Sequence, residues 1–542
     1  MTSVLVIGRA WELDPATRVW GTGGWRSPEE REALDWLTLV RLLGWRVTTA
    51  TAPGGDRPDV CIVAADPADG HDGAAVLLEW ARAGTTVVLP HAYAAPELAQ
   101  GLAAGPAAEG RAIRWVAPND PRAWNASRPV RHHVLVPGPG WDALAEIEGR
   151  VAVAARRDGA GTVVVVGFDP SSARDASGCA GALLVHLLTR TAPSPVAWLD
   201  LSNTMVLRMD DPGGAQNVYS REWRYPKLTS AQWGDVGRAL APRRGRISLA
   251  YSAGFVDDGD ARRGRLLVGG VETERVLGRV HPSPLARYED LAGHAPGAVY
   301  DYEDEHAGIA QLVAAGTAGV ELHGYTHVHP DRTSWAEAPD RYESSSWYRE
   351  LGPGAADVLA ALDPEEHPLA LGCAAIERWF GRRPTTLVCP GEEWTDAALE
   401  TALDLDVSLV GSYYLALRHE GRFCWSTHVC APYLDEPDAS WFDSGLPVVG
   451  YMHDRDLAVN GAGWLDEWLG TWEALGAERF VDYAYLAALL SSPVEVREGD
   501  GGWEVVVPGD GVPGTVRVGL RTAPSGRAVT AEYAPAQPPA RS

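Results

Sequence analysis

At 542 residues, with 46% hydrophobic and 22% charged side chains, the chain has an ordinary globular composition and is too long for one core, so two or three domains are expected. The formal net charge of −25, from 47 basic and 72 acidic residues, excludes the basic footprint of a nucleic-acid-binding surface. No apolar stretch reaches the roughly 20 residues of a membrane span, and the first residues, Met1-Thr2-Ser3-Val4-Leu5-Val6-Ile7, lack the basic start of a secretory signal. The expectation is a cytoplasmic protein without membrane partners. Lys227 is the only lysine; with the many Ala, Gly and Pro, that skew reads as the base composition of a GC-rich genome rather than as function.

Residues 1–195 alternate strand and helix signals. Residues 4–7 form a strand-sized apolar run, residues 29–43 an amphipathic helix closed by Gly44, and residues 46–50, 59–63, 85–89 and 161–167 further strands, followed by a helix over 178–189. Continuous apolar strands between helices mean a parallel sheet covered on both faces. The Pro/Ser-rich Thr191-Ala192-Pro193-Ser194-Pro195 reads as a linker. A second α/β series occupies 196–490, with strands expected at 205–209, 246–251, 319–323, 385–389, 407–410 and 447–452, and helices at 303–315, 355–362 and 396–403. The insertions at 253–300 and 328–350 exceed ordinary connection lengths and are expected to form rims or lids. Residues 491–542 read as a small β appendage with a disordered tail from 535.

The chemistry collects where strands of the second series end. Asp210-Asp211-Pro212 closes the first strand, and His323-Gly324-Tyr325-Thr326-His327 closes the third. Cys389-Pro390-Gly391-Glu392-Glu393-Trp394 follows another, and His453-Asp454 ends the run 446–452. In a barrel of parallel strands, such ends converge. Two imidazoles and one carboxylate make an open metal site, leaving room for water and substrate, and a bound divalent ion lowers the water's pKa toward about 7. Of two adjacent carboxylates, one can bind the ion while the other stays free as a base. His329 is a rival ligand to His327. The six cysteines (Cys61, Cys179, Cys373, Cys389, Cys424, Cys430) lack CxxC spacing, so neither a zinc knuckle nor a disulfide framework is indicated.

These strings resemble the motifs of the polysaccharide deacetylase family, also called the NodB-homology or carbohydrate esterase family 4 domain. The resemblance implies a distorted (β/α)7 barrel over 196–490. It implies Asp210 as general base, with Asp211, His323 and His327 as ligands of a divalent ion (zinc, with cobalt or manganese as alternatives) and His453 as general acid. Residues 1–195 resemble, by pattern, the class I glutamine-amidotransferase-like, flavodoxin-type domain. Cys61 lies inside a strand and Cys179 at a helix start with no strand directly before it, so neither sits on a nucleophile elbow, and a structural or homo-oligomerising role is expected. The family's third motif supplies an Arg that orients the base; the corresponding 389–394 stretch has none, which leaves Arg382, Arg383 or Arg208 to replace it. The Asp partner of the acid His is open among Asp435, Asp438 and Asp443.

The implied activity is removal of an N-acetyl group from an amino sugar or sugar-like small molecule, with Trp394, Glu392, Glu393 and Tyr325 against the substrate. The 22 Trp, including Trp223, Trp335, Trp347, Trp425 and Trp441, are many for this length, and those in loops around the motifs are expected to line the cleft. Two other readings stay open: a metal-dependent amide hydrolase acting on a non-sugar metabolite, and a non-catalytic carbohydrate-binding protein with a degenerate barrel.

Overall fold

The computed structural model describes residues 1–8, 28–64, 72–90, 97–117, 120–168, 178–220, 223–331, 347–412, 414–430, 439–499, 502–507, 512, 514–523, 526 and 528–533. The first sheet has nine strands: β1 (Ser3–Ile7), β2 (Arg46–Ala50), β3 (Val60–Val63), β4 (Thr86–Pro90), β5 (Leu102–Trp115), β6 (Arg122–Pro137), β7 (Asp142–Ile147), β8 (Arg150–Asp158) and β9 (Gly161–Val166). Five of them pair in parallel in the order β2-β1-β3-β4-β9. Val60–Val63 and Val163–Val166 are buried throughout, as strands covered on both faces must be. The helices α1 (Pro28–Leu42), α2 (Asp72–Arg82) and α3 (Gly178–Thr191) match the sequence expectation to within two residues at each end, except α2, which that reading did not place.

The sheet is not purely parallel. β8, β7, β5 and β6 extend it antiparallel beyond β9. Sequence reading misses them because β5 is rich in Ala and Gly and mostly exposed, so it shows neither an apolar run nor clean alternation.

The segment 191–195 is pinned rather than free. Arg521, buried, donates through Nε to the Thr189 carbonyl at 3.0 Å and through Nη1 to Ser194 Oγ at 2.7 Å. Directly after it, β10 (Val196–Leu199) pairs antiparallel with a C-terminal strand (Val516–Arg521), itself paired with Val529–Tyr533. The appendage therefore closes over the start of the second segment, and one apolar core runs from Trp36 and Trp45 through Leu199 to Val516 and Val518. The tail from 535 lies outside the described residues.

The second large sheet carries the site. β11 (Thr204–Asp210) pairs in parallel on one side with β12 (Ile247–Tyr251) through Arg208–Asp210 and with Arg479–Val481 through Thr204–Val206, and on its other side with Val448–His453. Beyond β12 follow Ala318–Leu322, Thr386–Val388 and Leu409–Gly411 in parallel, then Tyr414–His419 and Arg422–Cys430 antiparallel. Among the described residues, the hydrogen-bonded path is open between Arg422–Cys430 and Val448–His453. Every residue of β11 is buried. Met205, Leu207 and Met209 pack with Trp233 and Ile309 on one side, while Val206 joins the opposite core. Strand alternation then puts Arg208 and Asp210 on the Val206 face. The long insertion after β12 forms short antiparallel strands (Gly254–Val256 with Val280–Pro282; Gly264–Val268 between Val271–Glu272 and Ala286–Asp290), with a core of its own around Phe255, Tyr288 and Tyr302. Of the other insertion, residues 332–346 lie outside the described residues.

Glu321, two residues before His323, is buried beneath the sheet, where its Oε2 accepts from the backbone N–H groups of Thr385 and Thr386, each at 2.8 Å. Burial, with the Asp482 charge adding to it, pushes the Glu321 carboxyl up to about 8 despite those donors. The unfolded chain releases this proton in the ordinary glutamate range, so above that range the native state holds more protons than the unfolded one. Stability then declines as pH rises, by up to about 1.4 kcal/mol per pH unit, and levels off past about pH 8. Glu321→Gln keeps an acceptor for both amides and is expected to flatten the decline. Its thermal midpoint should match wild type near pH 5 and exceed it at pH 8; equal midpoints at both would sink the assignment.

Candidate metal centre

Two strand ends bring Asp211, His323 and His327 together, all buried, with one ligand atom from each within 4.8 Å of the others. Asp211 Oδ1 lies 3.4 Å from His323 Nε2 and 3.3 Å from His327 Nε2. A tetrahedral ion with bonds of about 2.0–2.1 Å sets its ligand atoms about 3.3–3.4 Å apart, so the donor set already has the spacing of such a site. His323 Nδ1 donates to the Val388 carbonyl at 2.9 Å, which leaves Nε2 as the lone-pair nitrogen facing Asp211. That Nε2 is buried and has no hydrogen-bond partner. An orphaned imidazole lone pair beside a carboxylate fits a cation and is costly without one.

Charge tuning agrees with that fit. Burial pushes the His327 imidazole down to about 4, so it is neutral and ligand-competent at neutral pH. Burial would raise the Asp211 carboxyl, yet the His323 imidazole beside it, with those of His327 and His453, outweighs burial and holds the group below the usual carboxylate range. His323 goes the other way: burial lowers it, but Asp211 and Asp210 outweigh that and raise it. Two of these three residues also sit on strained backbone, with φ +79° at Asp211 and +64° at His327. Non-glycine residues hold that conformation only where their surroundings over-determine it. For His327 the surroundings are Glu350, whose buried carboxylate accepts from the backbone N–H groups of Tyr325, Thr326 and His327 at 2.8–3.1 Å. Gly324 (φ +64°) makes room for it, since a Cβ there would stand 2.1 Å from Glu350 Oε2.

Asp210 ends β11 on the Arg208 face, and Arg208 grips it with both forks: Nε to Oδ1 at 2.7 Å, and Nη2 to Oδ2. The same guanidinium donates to Glu392 Oε1 at 2.6 Å and to the Ser412 carbonyl at 2.8 Å, and lies over the Tyr451 ring at 4.6 Å. Of the three arginines open to replace the third-motif Arg, Arg208 is the one paired with Asp210. It comes from the i−2 position of Asp210's own strand, and Glu392, from the altered third motif, accepts from its Nη2. Arg383 instead donates to the Leu405 carbonyl.

His453 is in register with Asp210 across the parallel pair. Its Nε2 stands 3.9 Å from Asp211 Oδ2 and 2.7 Å from the Tyr451 hydroxyl, and its side chain is 20% exposed, more than the other two histidines. Trp223 donates from Nε1 to Asp211 Oδ2 at 3.2 Å and sets its ring edge-on to His453 at 4.9 Å. Asp435 and Asp438, and the Asp443 side chain, lie outside the described residues. The group on His453 Nε2 is Tyr451, which sequence reading did not consider; its signal is the i−2 spacing that puts both side chains on one face of a strand.

The remaining expected site residues lie further out. Trp394 is buried and stacked on Trp425 at 4.5 Å, so it offers no open face to a sugar; both rings belong to the core beneath the sheet. Trp347 and Trp441 are likewise core residues, and Trp335 lies outside the described residues. Glu393 pairs with Arg349 at 3.0 Å. Tyr325 is half-buried, its carbonyl accepting from Gly254 N–H. His329 accepts at Nδ1 from the Asp331 N–H and is not among the three grouped ligands. Cys61, Cys373, Cys389 and Cys424 are free and buried, and burial pushes the Cys61 thiol far up, so it is no thiolate nucleophile. No helix of the described residues is long and apolar enough to cross a membrane.

No protein-family model matches the sequence, and no curated protein matches it. Among solved structures the chain is similar to BA3943 of Bacillus anthracis, a CE4 family pseudoenzyme, at 8% identity over 60% of this chain and 74% of that one, with a TM-score of 0.27. It is also similar to the exo-β-1,4-mannosidase Op5Man5 of Opitutaceae bacterium strain TAV5 (17% identity, 32% of each chain, TM-score 0.24). A β-galactosidase of Rahnella sp. R3 gives 16% identity over 37% of this chain and 34% of that one, with a TM-score of 0.24. The chain thus spans about a third of the two glycosidases it matches. At these scores the likenesses do not bear on function, which rests on the site.

Proposed function

We propose that the protein is a metal-dependent hydrolase of carbon–nitrogen bonds, acting as a deacetylase on an N-acetylated amino sugar or sugar-like small molecule. The observation that carries this is the 3.3–3.4 Å spacing of Asp211, His323 and His327 donor atoms beside a separately held second carboxylate, Asp210. Asp211, His323 and His327 would hold the ion, zinc by its preference for such a set, with cobalt or manganese as substitutes. When bound, the ion supplies Lewis-acid polarisation of the amide carbonyl.

The chain's own groups supply the proton transfers. Arg208 holds both oxygens of Asp210 and fixes their direction, so that Asp210 takes a proton from the attacking water. His453, the most accessible of the site imidazoles, passes a proton to the departing amine, with Tyr451 and Trp223 orienting its ring. The motif order and residue types support a NodB-type barrel for 196–490; for 1–195 the reading as a non-catalytic, homo-oligomerising glutamine-amidotransferase-like domain has only the pattern of strands and helices behind it. A second reading, an amide hydrolase acting on a non-sugar metabolite, is favoured by the burial of Trp394, which removes the expected aromatic platform.

The test is a panel of N-acetylated sugars, sugar nucleotides and small amides, assayed for released acetate or amine with zinc, cobalt or manganese added. Turnover of acetylated amino sugars supports the first reading, and turnover of the other amides alone the second. His323→Ala should lose bound metal and activity together. A variant that kept full metal content and turnover would remove His323 from the site.

A further inference from the structure

The chain's single lysine is buried directly behind the centre. Lys227 Nζ lies 2.8 Å from Asp454 Oδ2, 3.1 Å from Glu305 Oε1 and 3.5 Å from the backbone carbonyl of Asp211. Each partner leads back to a site residue. Asp454 is the chain neighbour of His453, and its other oxygen accepts from the Tyr225 hydroxyl at 2.6 Å. The second oxygen of Glu305 accepts from Gly213 N–H at 2.9 Å, within the turn that holds Asp211 in its left-handed conformation. Tyr302 donates to the Gly214 carbonyl of that turn at 3.0 Å, and its ring lies 5.2 Å from the ammonium.

We infer that Lys227 is a positioning residue, a buried ammonium that ties the Asp211 turn to the start of the helix after His453 and so fixes the ligand and the acid relative to one another. Rigid first contacts depend on such outer partners, whose loss typically costs metal affinity or activity about 10–100-fold. A chain in which every other basic side chain is arginine or histidine keeps lysine at this position. The compact ammonium matches it: it donates to Asp454 and to the Asp211 carbonyl while pairing with Glu305, an arrangement about one point charge that a planar guanidinium fork does not reproduce. The two carboxylates would otherwise be uncompensated in the interior.

The inference rests on the metal-site reading above, and the experiment separates the two. Zinc affinity is measured by competition with a chelator in wild type, Lys227→Met and the neutral triple variant Lys227→Met/Glu305→Gln/Asp454→Asn, alongside thermal midpoints and, where turnover is found, kcat and KM. The triple variant removes the buried charge imbalance that makes the single variant prone to unfold. We expect its thermal midpoint to return toward wild type while zinc affinity stays about 10–100-fold weaker, with kcat falling and KM within about threefold. A folded triple variant with wild-type zinc affinity and kcat would reduce Lys227 to charge balance and overturn the inference. Wild type that binds no zinc would instead overturn the metal-site reading itself.

Discussion

Asp210→Asn is expected to lower kcat by about 10³-fold, inside the 10²–10⁴ range of a lost general base, with bound metal unchanged. The separation follows from geometry. Asp211, not Asp210, faces the imidazoles, while both Asp210 oxygens are engaged by Arg208. Asparagine keeps the shape and one acceptor for that fork but cannot accept a proton from water. The loss should therefore appear in kcat rather than KM, and metal analysis of the purified variant should match wild type. Loss of the metal with the activity would mean that Asp210 is itself a ligand and that the division of labour between the two carboxylates is wrong.

Arg208→Met is expected to destabilise the fold by about 3–5 kcal/mol, the range for breaking a buried ion pair by removing one partner. Arg208 is buried between two carboxylates, Asp210 and Glu392, and burial alone would suppress its charge, but the two negative neighbours outweigh that and raise its pKa well above the ordinary value. Glu392 shows the opposite side of the bargain: burial raises its carboxyl, with Arg208 opposing. Removing the guanidinium orphans both acids. Adding Glu392→Gln to Arg208→Met should recover part of the loss, because one orphaned charge is then gone. Chemical denaturation reads both variants; a loss under about 1 kcal/mol would show that the pair is compensated by groups other than Arg208.

The site was more legible than its surroundings for a physical reason. A metal centre needs particular residue types at strand ends, so Asp210-Asp211, His323-x-x-x-His327 and His453 stand out at any sequence distance. What holds them need only be near in space. Glu350, Lys227 and Glu305 look like ordinary residues of loops and a helix, and nothing local marks them as supports; Tyr451 is marked only by its i−2 spacing from His453. Arg208 was visible only as one of three possible arginines, and its choice required knowing that β11 presents residues 208 and 210 on one face. The aromatic reading failed at Trp394 because a glycine- and proline-flanked tryptophan reads as a rim residue, whereas Trp425 arrives from a distant strand to cover it. In the first sheet, apolar parallel strands were clear and the antiparallel β5 was not, since its Ala- and Gly-rich, mostly exposed residues carry no burial pattern.

The most direct measurement is X-ray diffraction from crystals grown with zinc, with anomalous data collected across the zinc absorption edge. One anomalous peak per chain is predicted, within about 2.0–2.2 Å of Asp211 Oδ1, His323 Nε2 and His327 Nε2 together, with Asp210 still on Arg208. No peak at that position, or one held by other residues in protein that hydrolyses its substrate, would contradict the account.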